Sequence, residues 1–296
     1  MAVMEAGHLP GAYTTPAPDP VREQLEATQL ARTARGLVAR TGGGRVLELG
    51  SGGGLQGLLA GSGLNDYTGV DFRPPEAGVP GRHVVHDLRE GLGPVGSRPF
   101  DLYLAAFGLA SHLSPADLAR LLKEITRHAR PGAIVAVEAL GLFSLEWPRL
   151  WGTRPGPRRV LPYLLGVDVE VHPWSPSELG LLLESAGIRV ESFQDRSVQA
   201  GPKLDEGRYW PGLPPLRSAL GALLAGESPD QALTRGLPPL PAGPVAAVHQ
   251  DLAARRRALA RSRRFSGAAL AQEIWRLEAG SGGGFGHGLL VIGRVA

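Results

Sequence analysis

Residues 50–57 read GSGGGLQG, five glycines in eight positions, and they follow directly on the run RVLEL at 45–49. Bare backbone after a strand is how a chain commonly receives a phosphate or a cofactor, because the N–H groups are left accessible. Gly52, Gly54 and Gly57 satisfy the spacing G-x-G-x-x-G, and Asp71 lies at about the distance where a dinucleotide-binding unit places its ribose acid. A Walker-type phosphate loop is excluded, since no Gly-Lys-Ser/Thr follows. The glycines alone leave a nicotinamide dinucleotide open. Glu48 argues for a different ligand: a carboxylate before the turn repels a pyrophosphate and suits a positively charged group. Two later acids, Asp71 in GVDF and Asp87 in HDL, supply one group to chelate ribose hydroxyls and one to accept from an adenine amino group.

The elements that must position these residues alternate along the chain. VREQLEATQLARTARGLVAR (21–40) reads as a helix, with apolar residues at Val21, Leu25, Leu30 and Leu37. RVLEL, DYTGVDF, HVVHDL and FDLYLAA read as short strands. SPADLARLLKEITRHARPG is a helix with Ser114 as its cap, Pro115 in its first turn and Asp117 completing a capping box. AIVAVEAL is a continuous apolar run, as in a strand buried on both faces. SPSELGLLLESAG is a second capped helix stopped by Gly187, and IRVESFQDRS a further strand. The alternation implies an α/β fold: a Rossmann-like, doubly wound, mostly parallel sheet of seven strands. Its last strand, GLLVIGRVA, returns antiparallel after a largely helical insertion. The expected organisation is a loose arm at 1–20, a main domain at 21–197 and 284–296, and the insertion at 198–283, serving as a substrate lid or a contact between two copies.

Hydrophobic residues at 43% and charged residues at 20% are those of a soluble globular protein. No apolar stretch approaches the roughly 20 residues that span a bilayer. The N-terminus MAVMEAGHLPGAYTTPAPDP lacks a basic start followed by an apolar core, so the expected location is the cytoplasm, with no membrane partner. Cysteine is absent, which excludes disulfides, thiolate nucleophiles and sulfur-ligated metal sites, and no metal is expected. Only Lys123 and Lys203 are lysines, so arginine is the default cation of this chain and its clusters count for less as nucleic-acid footprints.

Taken together, VLELGSGGG, GVDF, HDL, FDLYLAAFGLASHLSP and RPGAIVAVEAL resemble the class I S-adenosylmethionine-dependent methyltransferases. WSPSELGLLLESAGIRV is similar to the later helix–strand unit of their small-molecule members. The resemblance covers about residues 20–197 and the last ten; residues 198–283 are outside it. It implies that Gly50, Ser51 and Gly52 let the backbone approach the methionine part of S-adenosyl-L-methionine, with Glu48 behind them. Asp71 would bind the ribose hydroxyls, Phe72 would pack on the adenine, and Asp87 with the Leu88 amide would read the adenine edge. Ala106 and Phe107 would line the sulfonium side. Alanine at both 105 and 106 departs from the polar residue or Asn frequent in the family, and argues against the amino-methyltransferases of DNA and RNA.

The reaction so implied is an in-line displacement on a small-molecule oxygen or nitrogen, which needs positioning, exclusion of water and a base. His112 is the expected base, with His172 in VHPWSP as its rival. Phe143, Trp147, Trp151, Trp174, Tyr209 and Trp210 either wall a substrate pocket or form core beneath a lid, and Tyr13 could close over the cofactor. The run ARRRALARSRR (254–264) invites an RNA or protein substrate. However, Val245, Val248, Leu252 and Leu259 recur at helical spacing and turn many of the arginines to a solvated face. No aromatic interleaves the run to stack on bases, so nucleic acid is disfavoured. A protein that binds the cofactor without transferring methyl groups, and an NAD(P) dehydrogenase, are the remaining alternatives.

Overall fold

The computed structural model describes residues 20–42, 44–52, 66–75, 81–156, 170–200, 216–234, 236, 237, 239–280 and 283–296. The arm up to residue 19, Gly53–Gly57, Tyr209 and Trp210 lie outside the described residues. Strands form where the apolar runs predict them: β1 (Arg45–Leu49), β2 (Asp66–Asp71), β3 (Arg82–Val85), β4 (Leu102–Ala105), β5 (Ile134–Leu140), β6 (Ile188–Asp195) and β7 (Gly288–Val295). Among the described residues these seven make one sheet in the order β3-β2-β1-β4-β5-β7-β6. Neighbours from β3 to β5 pair in parallel, whereas β7 runs antiparallel to both β5 and β6.

Helices cover both faces because strand side chains alternate. Leu47 and Leu49 of β1 pack with Leu118, Leu121, Leu122 and Ile125 of α3 (Pro115–His128) and with Leu179 and Leu183 of α4 (Pro176–Ser185). Val46 points the other way, against Leu30, Ala34, Leu37 and Val38 of α1 (Ala27–Thr41). A short α2 (Leu109–His112) links β4 to α3. Between β6 and β7 come α5 (Leu216–Leu224), α6 (Asp230–Thr234), α7 (Pro244–Arg261) and α8 (Gly267–Ala279). These helices close a separate core of Leu216, Leu220, Leu223, Leu270 and Ile274. Val21 and Leu25, in a π-helical stretch Val21–Glu26 that leads into α1, join that core rather than the sheet. No described helix is long and apolar enough to cross a membrane.

The two helix caps differ by one methylene. At α4, Glu178 reaches back to the Ser175 N–H at 3.2 Å and completes a capping box. At α3, Ser114 caps the Asp117 N–H at 3.1 Å, but the shorter Asp117 carboxylate meets the Ser114 hydroxyl at 2.6 Å instead. Only half of the expected box forms there.

Strand β7 enters between β5 and β6 with little room. The Gly141 N–H donates to the His287 carbonyl at 2.9 Å, and His287 donates to the Ser197 carbonyl at 2.8 Å. Asp195 gathers the N–H groups of Gly283, Gly284 and Gly286 at 3.1, 3.1 and 2.9 Å. A Cβ on Gly141 would stand 2.0 Å from the Gly286 carbonyl oxygen, so only hydrogen fits at this crossing. Gly36, in mid-helix, has nothing within 4 Å of such a carbon. In urea unfolding, Gly141→Ala is expected to lose more than about 2 kcal/mol through backbone displacement. Gly36→Ala is expected to gain about 0.5–1 kcal/mol through helix propensity.

Candidate functional site

The strand order with a single antiparallel member in the sixth position is that of the class I methyltransferase fold. In open sheets of this kind ligands settle beyond the carboxyl ends of the parallel strands, where the strand order reverses. That reversal falls between β1 and β4.

At the end of β1 the chain turns sharply: Gly50 has φ 68° and Gly52 φ 48°. Gly50 and Ser51 both donate to the Val70 carbonyl, at 2.8 and 3.0 Å, which clamps the turn to β2. The Gly52 N–H donates to Asp71 Oδ2 at 2.9 Å, and the Arg73 N–H to Asp71 Oδ1 at 3.0 Å. A Cβ on Gly50 would meet Leu109 at 2.8 Å, whereas one on Gly52 would meet nothing within 4 Å, so the space above the turn is open. Glu48 lies behind, only 2% exposed, and its carboxylate accepts the Tyr67 hydroxyl at 2.5 Å. Phe72 is 48% exposed beside Asp71, with the Arg73 guanidinium 5.3 Å from its ring centre. Glu48, Gly50, Ser51, Gly52, Asp71 and Phe72 are thus brought together by the pairing of β1 with β2.

Asp87 and Leu88 sit one strand further out, after β3. Asp87 caps the turn Leu88–Glu90 by accepting the Arg89 N–H at 2.9 Å. The same Arg89 closes its guanidinium on the carboxylate at 2.5–3.0 Å and holds Asp87 below the usual carboxylate range. The acid is in the expected place, but already engaged. Leu88 is buried.

Beyond β4, Ala106 is buried, and Phe107 takes a left-handed backbone conformation at φ 54°. This is a costly state for a residue with a side chain, and its N–H is held by Glu138 Oε2 at 2.9 Å. His112 ends α2 at the same edge, and burial pulls its imidazole down to about 4, so it is neutral at pH 7. His172 is buried nearby: its N–H donates to the Ser111 carbonyl at 2.8 Å and its ring meets Trp174 edge-on at 4.5 Å.

Sequence reading passed over two groups at this edge. The first is a buried chain of charges. Glu138, in the middle of β5, takes Arg196 Nε at 2.5 Å; Arg196 also pairs with Glu26, and Glu26 with Arg217 at 2.8 Å. Arg22 and Arg196 stand 5.3 and 5.5 Å from the Phe107 ring centre. Burial alone would raise the Glu26 carboxyl, but Arg196 and Arg217, with a smaller contribution from His287, bring it down to about 2. A glutamate inside the otherwise apolar run AIVAVEAL was the available signal.

The second group lies on the segment after β5. Trp147 Nε1 donates to the Gly141 carbonyl at 2.9 Å, Trp151 Nε1 to Ser144 at 3.0 Å, and His249 Nε2 to Phe143 at 2.8 Å. The His249 ring stacks on Trp151 at 5.4 Å. Between these pins Glu146 meets His287 Nδ1 at 2.7 Å and accepts the Ser144 hydroxyl at 2.9 Å. In the arginine run, Arg255, Arg261, Arg263 and Arg264 face solvent, whereas Arg256 turns inward to Gln199. Among the described residues no group of three His, Asp or Glu side chains could hold a metal ion.

No protein-family model and no curated protein matches the chain. Among solved structures it is similar to the 1,6-didemethyltoxoflavin-N1-methyltransferase of Burkholderia thailandensis with 1,6-didemethyltoxoflavin and S-adenosylhomocysteine bound (21% identity over 60% of this chain and 73% of that one, TM-score 0.45). It is similar over more of its length to the CcbJ methyltransferase of Streptomyces caelestis (12% identity, 95% and 100% covered, TM-score 0.48). A third is the complex of a putative methyltransferase with the Trm112 activator of Haloferax volcanii (15% identity, 93% and 92% covered, TM-score 0.46). At these identities the likeness is one of fold.

Because Glu26 is held at about 2 against an ordinary 4.5, its contribution to stability is complete above pH 4.5 and lost as pH falls through about 2. Glu26→Gln is expected to cost about 3–5 kcal/mol at pH 7, since Arg196 and Arg217 lose their shared carboxylate. Urea unfolding at pH 7, 4 and 3 should show the gap between variant and wild type narrowing toward low pH.

Proposed function

We propose that this chain binds S-adenosyl-L-methionine at the carboxyl edge of β1 and β2 and passes its methyl group to a small-molecule acceptor. The observation that carries the reading is one convergence: a bare glycine turn with open space above Gly52, the Asp71 carboxylate across from it, and the exposed Phe72 ring beside both. A ribose, an adenine and an uncharged backbone contact are what these three surfaces suit. The buried Glu48 behind the turn adds the sign of charge that favours a cation over a pyrophosphate.

In this reading Gly50, Ser51 and Gly52 face the methionine part, Asp71 the ribose hydroxyls and Phe72 the adenine. The Leu88 amide takes the adenine edge, and Asp87 shares that role only when Arg89 releases it. Ala106 and Phe107 line the side where chemistry occurs, with Phe107 fixed by Glu138. The cofactor, when bound, supplies a methyl group on a positively charged sulfur. The chain holds the acceptor in line, keeps water out and removes a proton. His112, neutral at pH 7, offers a hydrogen-bond acceptor at this edge. The helices between β6 and β7 serve as part of the acceptor's enclosure.

Calorimetric titration tests the reading. S-adenosylmethionine and S-adenosylhomocysteine should bind and NADH should not. Asp71→Ala should weaken binding by roughly 10- to 100-fold, as expected on losing hydrogen bonds to a charged group. Tight NADH binding with no response to the other two ligands would overturn it.

A further inference from the structure

We infer that His287, oriented by Glu146, takes the proton from the acceptor, and that the acceptor is an aromatic hydroxyl; this rests on the methyl-transfer reading above. His287 immediately precedes β7, the antiparallel strand, and therefore stands at the same edge as the glycine turn and Phe107. Its backbone is fixed on both sides, by Ser197 after β6 and Gly141 after β5. From the end of β4 it is two strand spacings away across β5, about 10 Å. That is room for one small ring between Phe107 and the imidazole.

The pair has the form of an oriented base. A carboxylate can only accept, so the 2.7 Å contact places the ring proton on Nδ1 and leaves the lone pair on Nε2. Both side chains are almost fully buried, which removes competing water. Glu146 is itself held by the Ser144 hydroxyl, and its segment is pinned at the Gly141, Phe143 and Ser144 carbonyls by two indoles and an imidazole. Holding an irregular segment at three points is the preorganisation that an oriented catalytic pair needs.

The surrounding charges favour a protonated His287. Glu146 faces it from the segment after β5 and Glu26 from the helix before α1. Beside the adjoining Gly288 lie Glu138 of β5 and Arg196 after β6, 2.7 and 3.1 Å from where a Cβ would be. Asp195 borders Gly286, and Arg217 pairs with Glu26. Four carboxylates thus meet two guanidiniums. His112 and His249, in contrast, are pulled down by burial.

Phe285 and Phe143 pack at 6.0 Å beside the pair, and with Phe107 they offer aromatic walls. In the step, the acceptor's O–H bond breaks with its electrons left on oxygen, and the proton bonds to Nε2. An oxygen lone pair forms the bond to the methyl carbon while the old carbon–sulfur pair stays on sulfur. Nε2 then returns the proton to water.

The test is an imidazole ¹⁵N–¹H correlation experiment on the full chain saturated with S-adenosylhomocysteine, from pH 5 to 9, with His287 assigned by His287→Gln. His287 should appear as the Nδ1–H tautomer and titrate, with a midpoint that falls by about one pH unit in Glu146→Gln. Its Nε2 signal should move when phenol is added. If Glu146→Gln fails to fold, the wild-type titration and the phenol response decide. S-adenosylhomocysteine binding with a His287 ring that neither titrates nor responds to phenol would make the pair structural and overturn the inference. Failure of S-adenosylhomocysteine to bind would overturn the methyl-transfer reading and this inference with it.

Discussion

The guanidinium of Arg196 is buried where β6 leaves the sheet, and a charge in that position is tolerable only among carboxylates. Glu138 reaches it from β5 and Glu26 from the helix that precedes α1; Arg217 of α5 then balances Glu26. Much of the edge follows from this requirement. The N-terminal helix must lie across the strand ends, and α5 must come close enough to bring Arg217. The second oxygen of Glu138 holds Phe107 in a conformation its side chain would otherwise avoid. Placing one cation thereby joins the sheet, the first helix and the helices between β6 and β7.

The edge divides into two parts built differently. Around β1 to β3 the contacts are short-range: a turn clamped to the neighbouring strand, an acid receiving the turn's N–H, and a ring left exposed. Around β5 to β7 they are long-range and buried, with backbones so close at Gly141 and Gly286 that only glycine fits. An open half suits a ligand that must come and go. A half assembled from buried pairs suits groups whose orientation must not change.

That division also decides what could be read from the sequence. Strands and their order of appearance were legible because apolar runs and capped helices are local patterns, and AIVAVEAL is buried along its whole length as its composition predicts. The glycine turn, Asp71 and Phe72 were legible as a motif, because their meeting needs only one pair of adjacent strands. The charge chain was not: Glu138 and Arg196 are separated by 58 positions, Arg196 and Glu26 by 170, and Glu26 and Arg217 by 191. Glu146 and His287 are 141 apart. Nothing periodic marks such pairs, although a histidine set among glycines in GGGFGHG, and a glutamate inside a buried strand, were traces of them. Asp87 shows the opposite limit: the pattern located it, but only the structure shows Arg89 closed on its carboxylate.

The central claim is that the open half of this edge receives S-adenosylmethionine. Ultraviolet cross-linking of the methyl-tritiated compound, followed by peptide mapping, tests it most directly. The account predicts label in peptides containing residues 45–75 or 102–112, abolished by excess S-adenosylhomocysteine. Absence of label, or label confined to the arginine-rich end of α7, would contradict it.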